Sequence, residues 1–252
     1  MPEVLVVDTA TPAVTAAVVR VRPGRVEALS VQVAADARRH GELLAPEVAD
    51  ALAAAGLVPG DLAAAVAGLG PGPFTGLRVG LVTAAALADA LQIPAYGVCS
   101  LDGLALPVAA RGRVLAVTDA RRREVYWAAY EDGSRIAGPE VSRPADLAGL
   151  ARKLGVEVAT GAGARRYVDV LGLPVTGPDS PDPVALARLA AWRVLAGAPT
   201  EPLTPLYLRR PDAVEPGRPK AVTAAGAKGT VSAPARPLVP TAAASGGPRG
   251  TR

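Results

Sequence analysis

The sequence has a single cysteine and a single histidine among its 252 residues, Cys99 and His40. One cysteine excludes a disulfide scaffold and any multi-thiolate metal site, and one histidine excludes every motif that binds a metal through two imidazoles. Nucleophilic catalysis would depend on Cys99 or Ser100 with His40 as the sole base. We therefore expect neither a catalytic residue nor a metal site in this chain. A protease is the least favoured alternative.

Aromatic residues are scarce as well, with two Trp, five Tyr and one Phe. Half of the chain is hydrophobic, so a core can form, but it must be built from Ala, Val and Leu. No uninterrupted apolar run reaches the ~18 residues that a membrane span needs, and the N-terminus lacks the basic segment of a signal peptide. We expect a cytoplasmic protein that makes no membrane contact.

Excess positive charge is confined to the end of the chain. The formal net charge is +4, and all of it comes from residues 212–252, because basic and acidic residues balance over 1–211. The tail has no aromatic residue and is rich in Ala, Pro and Gly, a composition that predicts disorder. Two interpretations of this tail stay open: a weak tether for RNA, or an extension without a function.

Short Val-rich segments that alternate with amphipathic stretches predict an α/β protein with mixed central sheets. Three opening strands joined by tight turns are typical of an antiparallel meander. We expect the junction between two halves near residues 97–105. The predicted strands are 3–8, 13–20, 25–33, 64–69, 94–98, 113–118, 124–131 and 156–160, and the predicted helices are 42–55, 77–91, 144–154 and 183–197.

Two of the predicted helices have unusually wide apolar surfaces. On the helix 77–91, Arg78 and Asp89 fall on one narrow strip and apolar side chains occupy the rest of the circumference. The helix 42–55 has an apolar arc of about 180°. Either Ala-rich helices simply look hydrophobic, or both helices contribute to an oligomer face. The second interpretation predicts an interface of Leu43, Leu44, Val48, Leu52, Leu77, Val79, Val82 and Leu87.

Two acidic turns and a glycine-rich loop are the candidate phosphate-binding features. The loop 70–76 joins a predicted strand to a helix start, where it is either a capped turn or an anion site, and it lacks the lysine of a P-loop. Asp8 and Asp119 each end a strand, one in each half of the chain. An autonomous ATPase or small-molecule kinase is the alternative that would use them. The candidate residues are Asp8, Thr9, Thr11, Gly70, Gly72, Thr75, Gly76 and Asp119.

Five segments taken together resemble the TsaB family, formerly called YeaZ, over residues 3–210. They are Val-Asp-Thr-Ala-Thr (7–11), Arg-His-Gly-Glu-Leu-Leu (39–44), Gly-Pro-Gly-Pro-Phe-Thr-Gly-Leu-Arg-Val-Gly (70–80), Asp-Ala-Arg-Arg-Arg-Glu-Val-Tyr-Trp-Ala-Ala-Tyr (119–130) and Pro-Leu-Tyr-Leu-Arg (205–209). The resemblance implies an actin-like/Hsp70-like (ASKHA) fold of two RNase-H-like domains. We assign an N-terminal domain with partner-binding helices to 1–100 and a C-terminal domain to 101–211. The tail at 212–252, predicted to be disordered from its composition, has no counterpart in the family.

The resemblance also implies a function. Family members are the non-catalytic subunit that dimerises with TsaD and activates it to threonylcarbamoylate the adenosine beside the anticodon of ANN-decoding tRNAs, with TsaE as a further partner. The relatives that transfer the group hold a metal through His-x-x-x-His, whereas here Leu44 stands four residues after His40. Asp8 and Asp119 would then be vestiges of two phosphate-facing turns, with ATP or ADP bound only within the complex. Without TsaD, the free chain is either a monomer or a homodimer, and the sequence leaves both forms open. The resemblance implies that tRNA is contacted only within the complex.

Overall fold

The structure, a computed structural model, describes residues 1–36 and 39–209. Five strands from the N-terminal half of the chain form the first of its two mixed sheets. Strand β1 (Glu3–Asp8) pairs antiparallel with β2 (Ala13–Arg22), which pairs antiparallel with β3 (Arg25–Ala35). On its other side β1 runs parallel to β4 (Leu62–Gly68), and β4 runs parallel to β5 (Ala95–Val98). The resulting strand order is β3-β2-β1-β4-β5.

The second sheet repeats this order with one strand fewer. Strand β6 (Val114–Asp119) pairs antiparallel with β7 (Val125–Glu131), which pairs antiparallel with β8 (Ser134–Ser142), and β6 runs parallel to β9 (Val158–Thr160). The order β8-β7-β6-β9 is therefore the first four positions of the first sheet over again. This repeat of an RNase-H-like sheet confirms the predicted α/β fold with mixed sheets.

The helices lie between and around these strands. Seven α-helices occur in the described residues: α1 (His40–Ala55), α2 (Phe74–Leu91), α3 (Ser100–Ala105), α4 (Pro144–Lys153), α5 (Ala162–Arg166), α6 (Val168–Leu171) and α7 (Pro183–Leu195). Short 3-10 helices occupy Pro59–Asp61 and Leu106–Arg111. Helices α3, α5 and α6 were not predicted, and neither was strand β8.

The alternation of side chains along β1 divides the first core into two layers. Leu5 and Val7 point into a cluster completed by α1 and α2, whereas Val4 and Val6 point into a cluster completed by α7. Successive side chains of a strand lie on opposite faces of the sheet, so a strand apolar at every position is covered on both faces. The run Val4–Val7 is buried throughout, as this packing requires.

Helix α7 belongs to the first sheet although it is the last helix described along the chain. Its buried residues contact the face of β1 that carries Val4 and Val6, and α3 also packs against it. A division at residue 100 assigns α7 to the other half, so the order of the sequence and the packing differ at this point. Met1–Pro211 forms one compact unit. The tail at 212–252, predicted to be disordered, lies outside the described residues.

A C-terminal segment connects elements of both halves. The Glu201 N–H donates to the Ala95 carbonyl of β5, and the Leu206 N–H donates to the Leu69 carbonyl. At the end of the segment, Arg209 donates from Nη1 to the Ala120 carbonyl over 3.1 Å and pairs with Glu124 at 3.0 Å. These bonds join the edge of the first sheet to the β6–β7 turn of the second.

Helix α2 is both long and apolar. In the described part of the chain it is the one helix long and apolar enough to cross a membrane, by length and composition alone. Arg78 and Asp89 interrupt its apolar run, and one side of the helix packs into the core of the first sheet. A helix that packs in the core of a globular protein often has the same length and composition.

Candidate functional site

The turn that follows β1 is closed by hydrogen bonds around Asp8. The Asp8 side chain is buried; its Oδ1 accepts from the Ala10 N–H at 3.1 Å, and its Oδ2 accepts from the Ser100 hydroxyl at 2.5 Å. Ser100 Oγ in turn accepts from the Gly70 N–H at 3.1 Å. Both carboxylate oxygens therefore have partners inside the chain, and the Asp8 side chain is not presented to a ligand.

The same turn holds the glycine-rich loop and the start of α2. Thr9 Oγ1 donates to the Gly76 carbonyl at 2.8 Å and accepts from the Gly80 N–H at 3.1 Å. A Cβ on Gly72 would lie 2.8 Å from the Ala10 Cα, so only glycine allows this approach. The predicted residues Asp8, Thr9, Gly70, Gly72 and Gly76 are thus brought together, although by contacts with one another.

His40 and Thr11 complete this closed cluster. The His40 ring lies with Nε2 2.9 Å from the Thr11 carbonyl oxygen, and the imidazole is buried. Thr11 Oγ1 accepts from the Ala13 N–H, which shapes the turn into β2. Thr75, the remaining candidate of this loop, is exposed on the first turn of α2.

Burial also sets the protonation of the two groups weighed for chemistry. Desolvation raises the pKa of Asp8 to about 6, against the opposing hydrogen bonds from Ser100 and Ala10. Burial raises the pKa of the Cys99 thiol to about 12, so it is protonated at neutral pH and is a poor nucleophile. Ser100 donates to Asp8 rather than to an imidazole. The protease alternative therefore has no assembled nucleophile and base in the described residues.

We expect the stability of this protein to fall as pH rises through the Asp8 titration. The folded pKa of about 6 lies above the ordinary aspartate pKa of 3.8, so the folded state binds the proton more tightly than the unfolded state does. Stability from this group is present below about pH 4 and is lost by about pH 6, with a change of roughly 2 kcal/mol. Urea unfolding of the native protein and of Asp8→Asn at pH 4 and pH 7 measures it. Equal pH dependence in both proteins would contradict the assignment.

Asp119 ends β6 in the second sheet. Its Oδ2 pairs with Arg166 Nη1 at 3.3 Å, whereas Oδ1 and the neighbouring Thr118 hydroxyl are buried without a partner. In residues 1–36 and 39–209 no hydrogen bond or ion pair joins Asp119 to Asp8. No group of three or more metal-binding side chains occurs in these residues either.

The β6–β7 turn is strained. Arg121, Arg122 and Arg123 have φ of 60°, 50° and 62°, and the Glu124 N–H donates to the Arg121 carbonyl at 2.9 Å. Positive φ at both central residues is the signature of a type I′ turn, which favours Asn-Gly. A left-handed conformation costs a residue with a Cβ roughly 1–2 kcal/mol, and runs of such residues are rare.

We expect Arg123→Asn to stabilise the protein by about 0.5–1 kcal/mol. Asparagine tolerates a left-handed backbone better than arginine, so the folded state loses strain that the unfolded state never had. Thermal unfolding of both proteins at one pH checks this. Arg111→Asn, at an exposed position with negative φ, is the matched control and should show no gain.

The exposed surface of α2 is the second candidate site. One stripe of α2 packs into the chain's own core; it consists of Leu77, Gly80, Leu81, Ala84 and Ala88. The opposite side still carries apolar residues, because Val82 is 65% exposed and Ala85, Ala86 and Ala90 are exposed. Val79 and Leu87 are half-buried and lie between the buried stripe and the exposed side of α2.

The burial of α1 and α2 corrects half of the predicted interface. Leu44, Val48, Leu52 and Leu77 are buried in the chain's own core, where they pack against β1 and β2. Side chains already covered within the chain offer no area to a partner. The interface prediction therefore rests on Leu43, Val79, Val82 and Leu87, which reach the surface in part or in full.

Two features border the exposed side of α2. At its N-terminal end, Phe74 and Tyr207 stack with ring centroids 5.0 Å apart, and the Arg78 guanidinium lies 3.9 Å above the Phe74 ring. At its C-terminal end, a groove of about 770 Å³ separates α2 from the segment 197–203. Val82, Ala85 and Leu203 line this groove together with Asp89 and Glu201.

The chain has an actin-like fold of two mixed sheets. Within this class of protein, its turn after β1 is closed by hydrogen bonds and one side of α2 is apolar and exposed. The family model described as TsaD, tRNA N6-adenosine threonylcarbamoyltransferase, matches residues 27–178. An uncharacterized protein of Mycobacterium tuberculosis is 50% identical over 210 residues, which cover 83% of this chain and 93% of that protein. The Escherichia coli tRNA threonylcarbamoyladenosine biosynthesis protein TsaB is 40% identical over 97 residues, 37% of this chain and 42% of that protein.

A solved structure agrees over the whole described fold. A Pseudomonas aeruginosa protein described as similar to peptidase YEAZ superposes with a TM-score of 0.67 at 30% identity, covering 83% of this chain and all of that chain. The chain belongs to the TsaB (YeaZ) branch of the tRNA N6-adenosine threonylcarbamoyltransferase family. The resemblance noted from the five sequence segments is thereby confirmed, as is the ASKHA fold.

Proposed function

We propose that this chain acts in tRNA threonylcarbamoyladenosine biosynthesis as a non-catalytic subunit that dimerises with TsaD and activates it. The relatives named above support the pathway, and the observation that carries the role is the exposed apolar side of α2 centred on Val82. The modified nucleoside would be the adenosine beside the anticodon of ANN-decoding tRNAs. Such a role belongs in the cytoplasm.

The closed turn after β1 supports a role without chemistry. In an actin-like ATPase an acidic residue at this strand end would face the phosphates. Here the Asp8 carboxylate accepts hydrogen bonds from the Ser100 hydroxyl and the Ala10 N–H instead. His40 is bonded to the Thr11 carbonyl, and Leu44 occupies the position where a second imidazole would be needed. We infer that the chain binds no metal and holds no nucleotide tightly by itself.

The residue sizes on α1 and α2 favour a helix-to-helix contact. The exposed positions of α1 include Ala45, Ala49 and Ala53, which are spaced four residues apart. Helix α1 also contacts α2. Small residues at such spacing let a second pair of helices approach closely, while Val82 supplies a larger apolar side chain to bury. The same surface would form a homodimer when TsaD is absent, so the two assemblies exclude each other.

Nucleotide and the remaining partners would enter only with the complex. We place ATP or ADP, TsaE and tRNA in the assembly that TsaD completes. For the nucleotide, the support is that the Asp8 carboxylate is buried and accepts hydrogen bonds from Ala10 and Ser100 within this chain.

Omission from a reconstituted reaction tests the proposal. TsaD, TsaE, threonylcarbamoyl-adenylate and tRNA are combined with or without this chain, and modified nucleoside is measured by mass spectrometry. We expect product to fall at least about tenfold without the chain. Undiminished product would refute the activating role. Calorimetry of the isolated chain with ATP and Mg²⁺ separates this role from an autonomous ATPase or kinase, which requires tight binding.

A further inference from the structure

The groove of about 770 Å³ beside α2 has the size of a binding site for a small organic molecule. Such sites measure about 300–1,000 Å³ and are lined mostly by apolar side chains with a few polar groups. Here Leu81 and Ala85 of α2 contribute apolar lining on one side, and Pro199, Pro202 and Leu203 contribute it on the other. The groove is therefore suited to a ligand with an apolar body.

The charged groups of the groove are all acidic. Asp89 and Glu201 belong to its lining, and none of the lining residues, all of which the structure describes, is Lys, Arg or His. The groove also lies at the C-terminal end of α2, where the helix dipole places partial negative charge and the last turn contains no basic residue. An anion would be repelled from this groove, and a cation would be attracted.

Asp89 is the carboxylate that remains for a ligand. Glu201 is already paired within the chain, because Arg193 Nη1 lies 2.6 Å from its Oε2. In residues 1–36 and 39–209 the Asp89 carboxylate has no ion-pair partner, and the residue is exposed. The site therefore has room for one positive group, next to an apolar surface.

We propose that this groove binds a small organic cation, namely a primary amine or a guanidine with an apolar body. The positive group pairs with Asp89, and the apolar body lies against Ala85 and Leu203. Removal of hydrocarbon from water supplies most of the affinity, and the charge supplies the preference for a cation, because an exposed ion pair contributes little by itself. The proposal goes beyond the proposed function and does not depend on TsaD, since the whole groove lies within this chain.

Three probes of similar size test the preference for a cation. At neutral pH 4-phenylbutylamine is cationic, 4-phenylbutanol is neutral and 4-phenylbutyrate is anionic. Each is titrated into the isotope-labelled full chain and followed by NMR at about 20 mM salt, where screening is weak. We expect the amine to bind in the low millimolar range, as a fragment of its size should. It should shift the amide signals of Ala85, Asp89 and Gly197, and the carboxylate should bind most weakly.

Two pairs of variants locate the site. Asp89→Asn should reduce the preference for the amine over the alcohol about three- to fivefold, whereas Asp50→Asn, at an exposed position of α1, should leave it unchanged. Ala85→Arg places a guanidinium four residues before Asp89, where it competes with the ligand for the carboxylate, and should weaken amine binding at least about tenfold. Ala90→Arg adds the same charge to α2 at an exposed position outside the lining, so it should change binding far less.

Three results would overturn the proposal. They are equal affinity of the native chain for all three probes, equal changes in Asp89→Asn and Asp50→Asn, and amide shifts confined to residues away from the groove. Thermal unfolding shows which variants are folded, and Asp89→Asn decides the matter if Ala85→Arg is not. A native chain that binds the amine in this groove but fails to bind TsaD would refute the proposed function and leave this site standing.

Discussion

Val82→Glu is expected to abolish the complex with TsaD while the isolated chain stays folded. Val82 is 65% exposed, so a glutamate there is hydrated in the free protein and costs its fold little. In a desolvated helix contact the same carboxylate would be buried without a partner, which costs about 3–5 kcal/mol. Affinity for TsaD should therefore fall by roughly 10²–10³-fold, measured by calorimetry or surface plasmon resonance.

Two further variants make this result specific. Val33→Glu places the same side chain at a 55% exposed valine of β3, outside α1 and α2, and should leave TsaD binding unchanged. Arg78→Ala lies on α2 itself but removes a side chain held by Phe74 and Tyr207, so it should weaken binding far less. A Val82→Glu protein that still binds TsaD with native affinity, while folded, would show that this side of α2 is not the interface.

Gly68→Ala is expected to destabilise the protein by about 3 kcal/mol or more. A Cβ at this position would overlap Asp8 Oδ2 and lie 2.6 Å from Ser100 Oγ. The carboxylate is buried and cannot swing into solvent, so the added methyl must break the Asp8–Ser100 hydrogen bond and leave a buried polar group unsatisfied. Urea unfolding measures the loss.

A helical glycine supplies the matched control. Gly149 of α4 has no atom within 4 Å of an added Cβ, so Gly149→Ala should raise stability by about 0.5–1 kcal/mol. The double variant Asp8→Ala/Gly68→Ala tests the mechanism, because removing the carboxylate removes the overlap. We expect the double variant to be more stable than the sum of the two single changes indicates. Strict additivity would place the cause of the destabilisation elsewhere.

Regular patterns explain which elements could be predicted. The run Glu3–Asp8 and the alternating Val-rich segments that follow have strong local signals, and the predicted strands lie within two residues of the observed ones. Strand β8 has no such signal, since Ser134–Ser142 contains Gly138, Pro139 and charged residues. It forms because its partner β7 is buried on both faces and needs a neighbour on that edge. That is a property of the sheet and not of the segment.

The candidate sites could likewise be predicted only in part from the sequence. A helical wheel shows that most of the circumference of α2 is apolar, but it cannot tell which apolar arc faces the core. Leu44 and Leu77 were therefore assigned to a partner together with Val82, although the chain's own core buries them. The meeting of Asp8 with Ser100 was missed, although a rule could have found it: β1, β4 and β5 run parallel, so their carboxyl ends meet at one edge. The ion pair between Arg166 and Asp119 depends on how α5 packs against β6, which no local pattern contains.

The position of α7 has a consequence for biosynthesis. One face of the first sheet is covered by a helix that begins 85 residues after β5 has ended. While the ribosome makes that intervening chain, the face of the sheet that carries Val4, Val6 and Tyr96 lacks the layer of side chains that α7 supplies. The first sheet is therefore completed only once α7 has been made, and until then the nascent chain exposes an apolar surface that is prone to aggregation.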